Sequence, residues 1–247
     1  MRILILTNND LASLVALNIM TPKLTKYEIL VGISAKVGSN QKQPAAIISL
    51  ADHEQKIIND EVKLVQTYDS LTFKALSEKY RVEISEMSHI NQLDGIAEVK
   101  RFDPDLILSV RFGKILQQSI IDIPRFGVIN LHSGILPDYQ GVMASFWAML
   151  NGETYIGTTL HFISDKSIDT GEIIEQSKMP INTDKSYLDN VLQLYVTGCE
   201  LMIAAVKTVA TNQNLTCYPQ QGKSAYYGFP KRQDLDQFFK LGFQLFD

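Results

Sequence analysis

Two polar side chains interrupt an apolar run in the segment GVINLHSGILPDYQG, which covers residues 127–141. Side chains alternate between the two faces of a strand, so Asn130 and His132 lie on one face, together with Val128. An amide donates hydrogen bonds, and an imidazole exchanges protons near neutral pH. Both residues stand at the carboxyl end of the run, where open α/β sheets bind ligands. Either residue alone is typical of a structural position, but the pair indicates a functional site.

Asp169, in the segment SIDTGEII, is a third candidate. An Asp followed by Thr and Gly is also what an Asx-type turn between two strands requires, so a structural role has strong support. The triplet Asp-Thr-Gly occurs in aspartic proteases as well. That chemistry needs two carboxylates that share one proton on β-rich lobes. The surrounding α/β pattern, with one such triplet, therefore disfavours a protease.

The elements that must position these residues are typical of a mostly parallel sheet. The runs RILIL, EILVGIS, DLILSV and GVINL are short and apolar, and they alternate with stretches that favour helices, such as residues 61–80. They predict a Rossmann-like α/β fold with helices on both faces of the sheet. The later runs YIGTTLHFIS and EIIEQSKMPI predict a hairpin, and a long helix is expected over residues 186–211.

Composition and charge limit the classes of protein. The chain has 247 residues, of which 45% are hydrophobic and 20% charged, with a formal net charge of -4. These values are typical of a globular enzyme, and the negative charge disfavours a nucleic-acid partner. The segment TNNDLAS after the first strand contains no glycine. NAD and FAD are disfavoured, because their pyrophosphate needs a glycine-rich turn at this point.

Two further patterns concern location. Cys199 and Cys217 are too few for a disulfide framework or a metal site, which fits a reducing compartment. The N-terminal segment MRILILTNND has no small-residue cleavage site and predicts a strand rather than a signal peptide. No apolar run is expected to be long enough to span a membrane. The sequence thus predicts a cytoplasmic protein with no membrane partner.

Three linked segments carry a resemblance to a known family. GVINLHSGILPDYQG, WAMLNGE and IGTTLHFISDKSIDTGEII resemble the formyltransferases that use 10-formyltetrahydrofolate. The pattern of that family is Asn-x-His, then a Leu-Pro loop that ends in Gly, then an Asp-x-Gly turn. The likeness is continuous over residues 105–174. It implies a catalytic domain over residues 1–211, followed by a C-terminal extension over residues 212–247.

The resemblance also implies roles for particular residues. Asn130, His132 and Asp169 correspond to the catalytic trio: an amide that stabilises an oxyanion, an imidazole that relays protons, and a carboxylate that orients it. No metal is required for this chemistry. The residues implied to bind the folate are Arg111, Phe112, Ile115, Leu116, Gly141 and Asp165. The role of His161 on the hairpin strand stays open between structure and catalysis.

The acceptor of the formyl group is also left open. The absence of glycine in TNNDLAS disfavours a phosphorylated glycinamide ribonucleotide, and the short C-terminal extension disfavours methionyl-tRNA. A small primary amine, such as an amino sugar on a nucleotide carrier, is the expected acceptor. A formyltetrahydrofolate hydrolase and a folate-binding module without activity are the alternatives. The aromatic tail, residues 226–246 of the C-terminal extension, is expected to pack on the catalytic domain or on a second copy of the chain in a homodimer. An alternative is that its tyrosines cover the acceptor site.

Overall fold

The four apolar runs form the parallel centre of one seven-stranded sheet. The computed structural model of the protein describes residues 1–35 and 43–247. The strands are β1 (Arg2–Asn8), β2 (Glu28–Ser34), β3 (Glu83–Glu86), β4 (Leu106–Val110), β5 (Val128–His132), β6 (Gln140–Gly141), β7 (Tyr155–Ile163), β8 (Ile173–Pro180) and β9 (Tyr226–Tyr227). The helices are α1 (Leu11–Leu24), α2 (Ala45–Ile58), α3 (Glu61–Tyr68), α4 (Phe73–Tyr80), α5 (Leu93–Phe102), α6 (Gln118–Ile121), α7 (Ala144–Leu150), α8 (Tyr187–Ala210) and α9 (Arg232–Lys240).

The order of the strands in this sheet is β3-β2-β1-β4-β5-β7-β8. The first five are parallel to one another, whereas β7 pairs antiparallel with β5 and with β8. This topology confirms the predicted Rossmann-like fold and the predicted hairpin. β3 was not predicted, because its four residues, EISE, contain a single apolar side chain.

Apolar side chains cover both faces of the sheet. Along β1, Ile3 and Ile5 belong to a large buried cluster that includes residues of α1 and α8. Leu4 and Leu6 point to the opposite face and pack in a second cluster with residues of α5 and α6. All four side chains are fully buried. A strand that is buried on both faces is typical of a parallel sheet between two layers of helices.

The stretch over residues 61–80 forms two helices instead of one. α3 ends at Tyr68, and the next residue, Asp69, has the left-handed backbone conformation with φ of 47°. The connecting residues turn toward α1, where the Leu71 N–H donates to Asn18 Oδ1 at 2.8 Å. α4 then begins at Phe73, and the hydroxyl of the preceding Thr72 caps it by accepting from the Ala75 N–H. The sequence predicts helical structure over residues 61–80 but not the break at its centre. A tertiary contact such as that between Leu71 and Asn18 leaves no signal in hydrophobic periodicity.

α8 follows the prediction for residues 186–211. The Ser186 hydroxyl caps it by accepting from the Asp189 N–H at 3.2 Å. By length and composition alone, α8 is long and apolar enough to cross a membrane, which corrects the expectation that no run would be. Of its most apolar window, 56% is buried inside the protein. α8 packs against α1 and β7, so its apolar side chains belong to the main core.

The segment after α8 packs on the rest of the chain. β9 pairs in parallel with β6, which lies in the loop after β5. In α9, Leu235 and Phe238 are buried in the same cluster as α1 and α8. The Phe238 ring stacks on the Phe146 ring of α7 at 4.4 Å between centroids. The expected packing of the aromatic tail is therefore present, and the division at residue 211 stays a prediction.

Candidate functional site

Three predicted site residues meet at the carboxyl end of β5. Asn130 and His132 belong to this strand, and Asp169 comes from the turn between β7 and β8. His132 Nδ1 lies 3.5 Å from Asp169 Oδ2. The side chains of His132 and Asp169 are 7% and 10% exposed, so they interact largely shielded from water. Such shielding strengthens the interaction between their charges.

His161 joins these three side chains. The antiparallel register places it directly opposite Asn130 on the neighbouring strand. Its Nε2 lies 3.1 Å from Asn130 Nδ2 and 3.4 Å from Asp169 Oδ1. We refer to Asn130, His132, His161 and Asp169 as the β5 cluster. The sequence leaves the role of His161 open between structure and catalysis. In the structure, His161 contacts two of the three predicted residues, Asn130 and Asp169.

Carbonyl oxygens orient the two imidazole rings. His161 Nδ1 lies 2.9 Å from Phe162 O, so this nitrogen carries a hydrogen and donates it. In the neutral ring, Nε2 then accepts a hydrogen bond from the Asn130 amide. His132 Nε2 lies 2.6 Å from Tyr139 O, and its other nitrogen faces Asp169. His132 is thus oriented by the Tyr139 carbonyl on one side and faces the Asp169 carboxylate on the other.

Asp169 is the fixed negative charge of the cluster. Burial alone would raise its pKa, but the charge of His132, the contact with His161 and the hydrogen bond from the Gly141 N–H outweigh burial and lower the pKa to about 2. The distance from Gly141 N to Asp169 Oδ2 is 2.9 Å. A carboxylate of this kind is ionised at neutral pH and stabilises a positive charge on a neighbouring imidazole.

A cavity of about 700 Å³ lies over the β5 cluster. All four residues of the cluster line it. The six residues that were expected to bind folate line it as well: Arg111, Phe112, Ile115, Leu116, Gly141 and Asp165. Cavities that hold small molecules have volumes of about 300–1,000 Å³ and largely apolar walls. The structure thus gathers every predicted site residue around one space, and their binding role stays a prediction.

The C-terminal extension supplies part of the cavity wall. Tyr226, Gly228 and Phe229 line the cavity next to Val142 and Met143 of the loop after β5. The pairing of β9 with β6 brings these segments together. Gly141 has φ of 97°, and a Cβ at this position would collide with the Tyr227 carbonyl oxygen. Glycine at position 141 therefore allows the tail to approach the site.

The family of the chain is decided by its sequence. A family profile described as "Formyl transferase" matches residues 3–204. The chain belongs to the formyl transferase family. Among curated proteins it is similar to the methionyl-tRNA formyltransferase of Geobacter sulfurreducens, with 35% identity over 156 residues. These residues cover 59% of this chain and 48% of that protein. The chain spans about half the length of the curated methionyl-tRNA formyltransferases that it matches.

Solved structures of other formyltransferases share the fold. One is the N-formyltransferase from Helicobacter canadensis in complex with folinic acid and dTDP-3-aminofucose, with 20% identity and a TM-score of 0.60. The overlay covers 95% of this chain and 72% of that one. Another is glycinamide ribonucleotide transformylase 1 from Symbiobacterium toebii, with 13% identity and a TM-score of 0.62 over 89% of this chain and 94% of that one. At these identities the likeness concerns the fold.

A second buried group of polar side chains lies at the start of α1, and sequence reasoning missed it. Arg111 Nε donates to both carboxylate oxygens of Asp10, each at 3.0 Å. Arg111 Nη1 lies 3.5 Å from the Tyr195 hydroxyl. The buried Glu54 carboxyl lies next to the backbone N–H groups of Leu11 and Ala12 at the start of α1. We refer to Asp10, Glu54, Arg111 and Tyr195 as the α1 cluster.

The α1 cluster changes what is expected of Arg111. Its guanidinium lines the cavity, but two of its hydrogen bonds go to Asp10. Burial and the nearby charge of Asp10 raise the pKa of Glu54 to about 8. Glu54 is therefore largely neutral at pH 7, which leaves Asp10 as the ionised partner of Arg111. A role for Arg111 in holding the protein together is thus at least as well supported as the predicted contact with folate.

Proposed function

We propose that this formyl transferase moves a formyl group from 10-formyltetrahydrofolate to the primary amine of a small acceptor, with nucleotide-linked amino sugars as the acceptor class. The observation that carries the proposal is the convergence of Asn130, His132 and Asp169 at the floor of the cavity. The donor fits the volume of about 700 Å³ and the apolar wall formed by Phe112, Ile115 and Leu116.

Each side chain has a separate task in this reaction. The donor supplies a formyl carbonyl that the amine attacks, so negative charge develops on the carbonyl oxygen. Asn130 gives one amide hydrogen to His161 in the neutral-ring arrangement, and the second one is available to that oxygen. An amide donor of this kind contributes about 10²- to 10³-fold to the rate. Asn130 therefore acts mainly in the transition state.

Proton transfer is the task of His132. The amine must lose a proton, and the nitrogen of the leaving folate must gain one. The imidazole of His132 can take up and return a proton during the reaction, and general acid–base catalysis contributes about 10²- to 10⁴-fold. The ionised Asp169 stabilises the protonated ring from a distance of 3.5 Å. The chemistry needs no charge from the α1 cluster.

Two features of the structure support a small acceptor other than a phosphorylated ribonucleotide. The start of α1 is where a parallel α/β fold can hold a phosphate. Here the Ser13 N–H donates to Asp10 at 2.8 Å, and the buried Glu54 carboxyl lies next to the N–H groups of Leu11 and Ala12. The ring of Tyr226, 59% exposed, forms an open aromatic surface in the cavity. Such a ring can stack on a sugar or a base.

A second candidate is formylation of methionyl-tRNA, favoured by the 35% identity to the enzyme of Geobacter sulfurreducens. The net charge of -4 counts against it, because tRNA binding usually needs an excess of positive charge. The third candidate is hydrolysis, in which water replaces the amine at the same cluster.

One assay separates these functions. The protein is incubated with 10-formyltetrahydrofolate labelled in the formyl group, together with nucleotide-linked amino sugars, with methionyl-tRNA, or with no acceptor. We expect label on the amino sugar, and loss of that transfer in Asn130→Ala. Label on the tRNA supports the second candidate, and formate released without acceptor supports hydrolysis. A wild-type protein that consumes no donor under any condition overturns the proposal.

A further inference from the structure

We propose that Gln220, from the C-terminal extension, is a positioning residue that holds the Asp169 turn in the geometry needed for catalysis. The inference rests on the proposed function, since it assigns Asp169 the role described there. It extends that function to a residue outside the segments that carry the family pattern. Gln220 lies beyond the region matched by the family profile, which covers residues 3–204.

The turn that carries Asp169 has an unfavourable backbone. Asp169 has φ of 55°, the left-handed region in which a residue with a Cβ is strained. Such a conformation persists only where the surroundings impose it, and it is concentrated at functional sites. The carboxylate must nevertheless stay between His132 and His161, at 3.5 and 3.4 Å. Contacts from outside the turn would fix this backbone conformation and with it the position of the carboxylate.

The side-chain amide of Gln220 makes the contacts that this task requires. Its Nε2 donates to Asp169 O at 2.8 Å and to Gly171 O at 2.9 Å. The amide thereby ties together two carbonyl groups on either side of Thr170. Gln140 Nε2 also donates to Asp169 O, at 3.1 Å. Two glutamines from distant segments thus bind the carbonyl of the residue whose carboxylate faces the histidines.

Backbone pairing delivers Gln220 to this position. On one side, Tyr218 exchanges two hydrogen bonds with Ile173, at the start of β8, at 2.9 and 2.8 Å. On the other side, β9 pairs with β6. The short segment that contains Gln220 is therefore fixed to both loops that form the site. Fixation at both ends reduces the freedom of the side chain and favours a defined geometry.

The backbone amides of residues 140–142, in β6 and directly after it, offer a direct measure of this geometry. The N–H groups of Gln140 and Val142 donate to Ala225 O and Tyr227 O, both at 2.9 Å, so they report the docking of the tail. The Gly141 N–H between them points the other way and donates to Asp169 Oδ2 at 2.9 Å. Hydrogen exchange at position 141 therefore reports the Asp169 carboxylate, and the two flanking amides report the tail.

The test uses Gln220→Met, which keeps the length of the side chain and removes both N–H donors. The matched control is Gln221→Met, at the exposed neighbouring position. We expect Gln220→Met to lower kcat at least about 10-fold, because small misplacements of catalytic groups cost one to two orders of magnitude. The KM values for donor and acceptor should change less than about 2-fold, since the cavity walls are untouched. The control should match the wild type.

Hydrogen exchange provides the readout that does not depend on turnover. In Gln220→Met, the Gly141 amide should exchange at least about 10-fold faster, with the Gln140 and Val142 amides unchanged. Unchanged kcat, or unchanged Gly141 exchange, overturns the proposal. Faster exchange at all three amides also overturns it, because the residue would then hold the tail rather than the turn.

A second variant at the same position keeps the test decisive if Gln220→Met does not fold. Gln220→Glu also lacks the two donors but stays polar, and it should reproduce the loss in kcat and the faster exchange at Gly141. If both variants unfold, Gln220 is a general structural residue and the proposal fails. If the wild type shows no formyl transfer, the proposed function fails, whereas Gly141 exchange still decides whether Gln220 holds Asp169.

Discussion

The α1 cluster and the β5 cluster lie at the same edge of the sheet, where β1, β4 and β5 end, and both bury charged side chains. They use these charges differently. In the α1 cluster, Arg111 donates to both oxygens of Asp10, and burial keeps Glu54 largely neutral. In the β5 cluster, the ionised Asp169 stands between two imidazoles, His132 at 3.5 Å and His161 at 3.4 Å, and both line the cavity.

The difference shows that buried charged groups can serve either the stability of the protein or a reaction. Groups that compensate one another within the protein have little left to offer a ligand, and removing one of them leaves the others uncompensated. Groups that change protonation in contact with a cavity can serve a reaction. We therefore expect substitutions in the β5 cluster to affect turnover, and substitutions in the α1 cluster to affect stability.

The largest effect is expected for His132→Ala. Loss of the proton relay should lower kcat by about 10²- to 10⁴-fold with little change in the thermal unfolding midpoint. The formyl transfer assay gives the rate, and circular dichroism gives the unfolding midpoint. His89→Ala is the control, since His89 is a half-buried histidine on the opposite flank of the sheet, among Glu86, Asp94 and Glu98. A His132 variant that keeps more than about a tenth of the turnover would remove this residue from the mechanism.

The β5 cluster was largely predictable from sequence because two of its members are two residues apart on one strand. Asp169 was placed by the family pattern, since no local signal fixes the distance between a turn and a strand. His161 required the register of β5 and β7, which determines the side chain that stands opposite Asn130. The fold was equally accessible, because alternating apolar runs and helical stretches define a parallel sheet.

The α1 cluster and Gln220 were not predictable in the same way. Asp10, Glu54 and Arg111 come from a turn, a helix and the residue after a strand, and only the tertiary fold brings them together. Glu54 lies in an amphipathic helix, where a single carboxylate is normally read as a solvent-exposed charge. Gln220 acts through backbone carbonyls, so its side-chain type carries no specific signal.

In the α1 cluster, Arg111→Met should destabilise the protein by about 3–5 kcal/mol, because it leaves the carboxylate of Asp10 buried without its partner. Urea unfolding measures the change, with Arg101→Met, at an exposed position of α5, as the control. The double variant Asp10→Asn/Arg111→Met should recover part of the loss, which is the signature of a direct pair.

The same variant tests the predicted contact between Arg111 and folate. Normal stability combined with a raised KM for the donor would assign the guanidinium to the cavity. Arg111 would then serve ligand binding, whereas the α1 cluster is otherwise expected to stabilise the protein.

A smaller and pH-dependent effect is expected for Glu54→Gln. The folded-state pKa of Glu54, about 8, lies above the unfolded value of ~4.3. The folded protein therefore retains a proton that the unfolded chain releases, and the free energy of unfolding falls as pH rises from about 4.3 to about 8. The slope from this group is at most about 1.4 kcal/mol per pH unit.

Glutamine has no proton to lose, so Glu54→Gln should remove this slope and exceed the wild type in stability at pH 8. Urea unfolding at pH 5, 6.5 and 8 gives the comparison. Parallel pH dependences for the two proteins would show that Glu54 is ionised in the folded state. The α1 cluster would then contain a net negative charge instead of a compensated pair.

The smallest effect is expected for Tyr226→Ala, on the cavity wall that the tail supplies. An aromatic contact contributes about 0.5–1.5 kcal/mol, so the acceptor KM should rise about 2- to 12-fold, with kcat and the donor KM unchanged. Tyr226→Phe should keep the wild-type value, because the ring and not the hydroxyl makes the contact. Tyr155→Ala, which removes a ring that is 55% exposed at the start of β7, is the matched control. An unchanged acceptor KM in Tyr226→Ala would restrict the role of the tail to holding the Asp169 turn, and a change in the donor KM alone would place the donor against this wall.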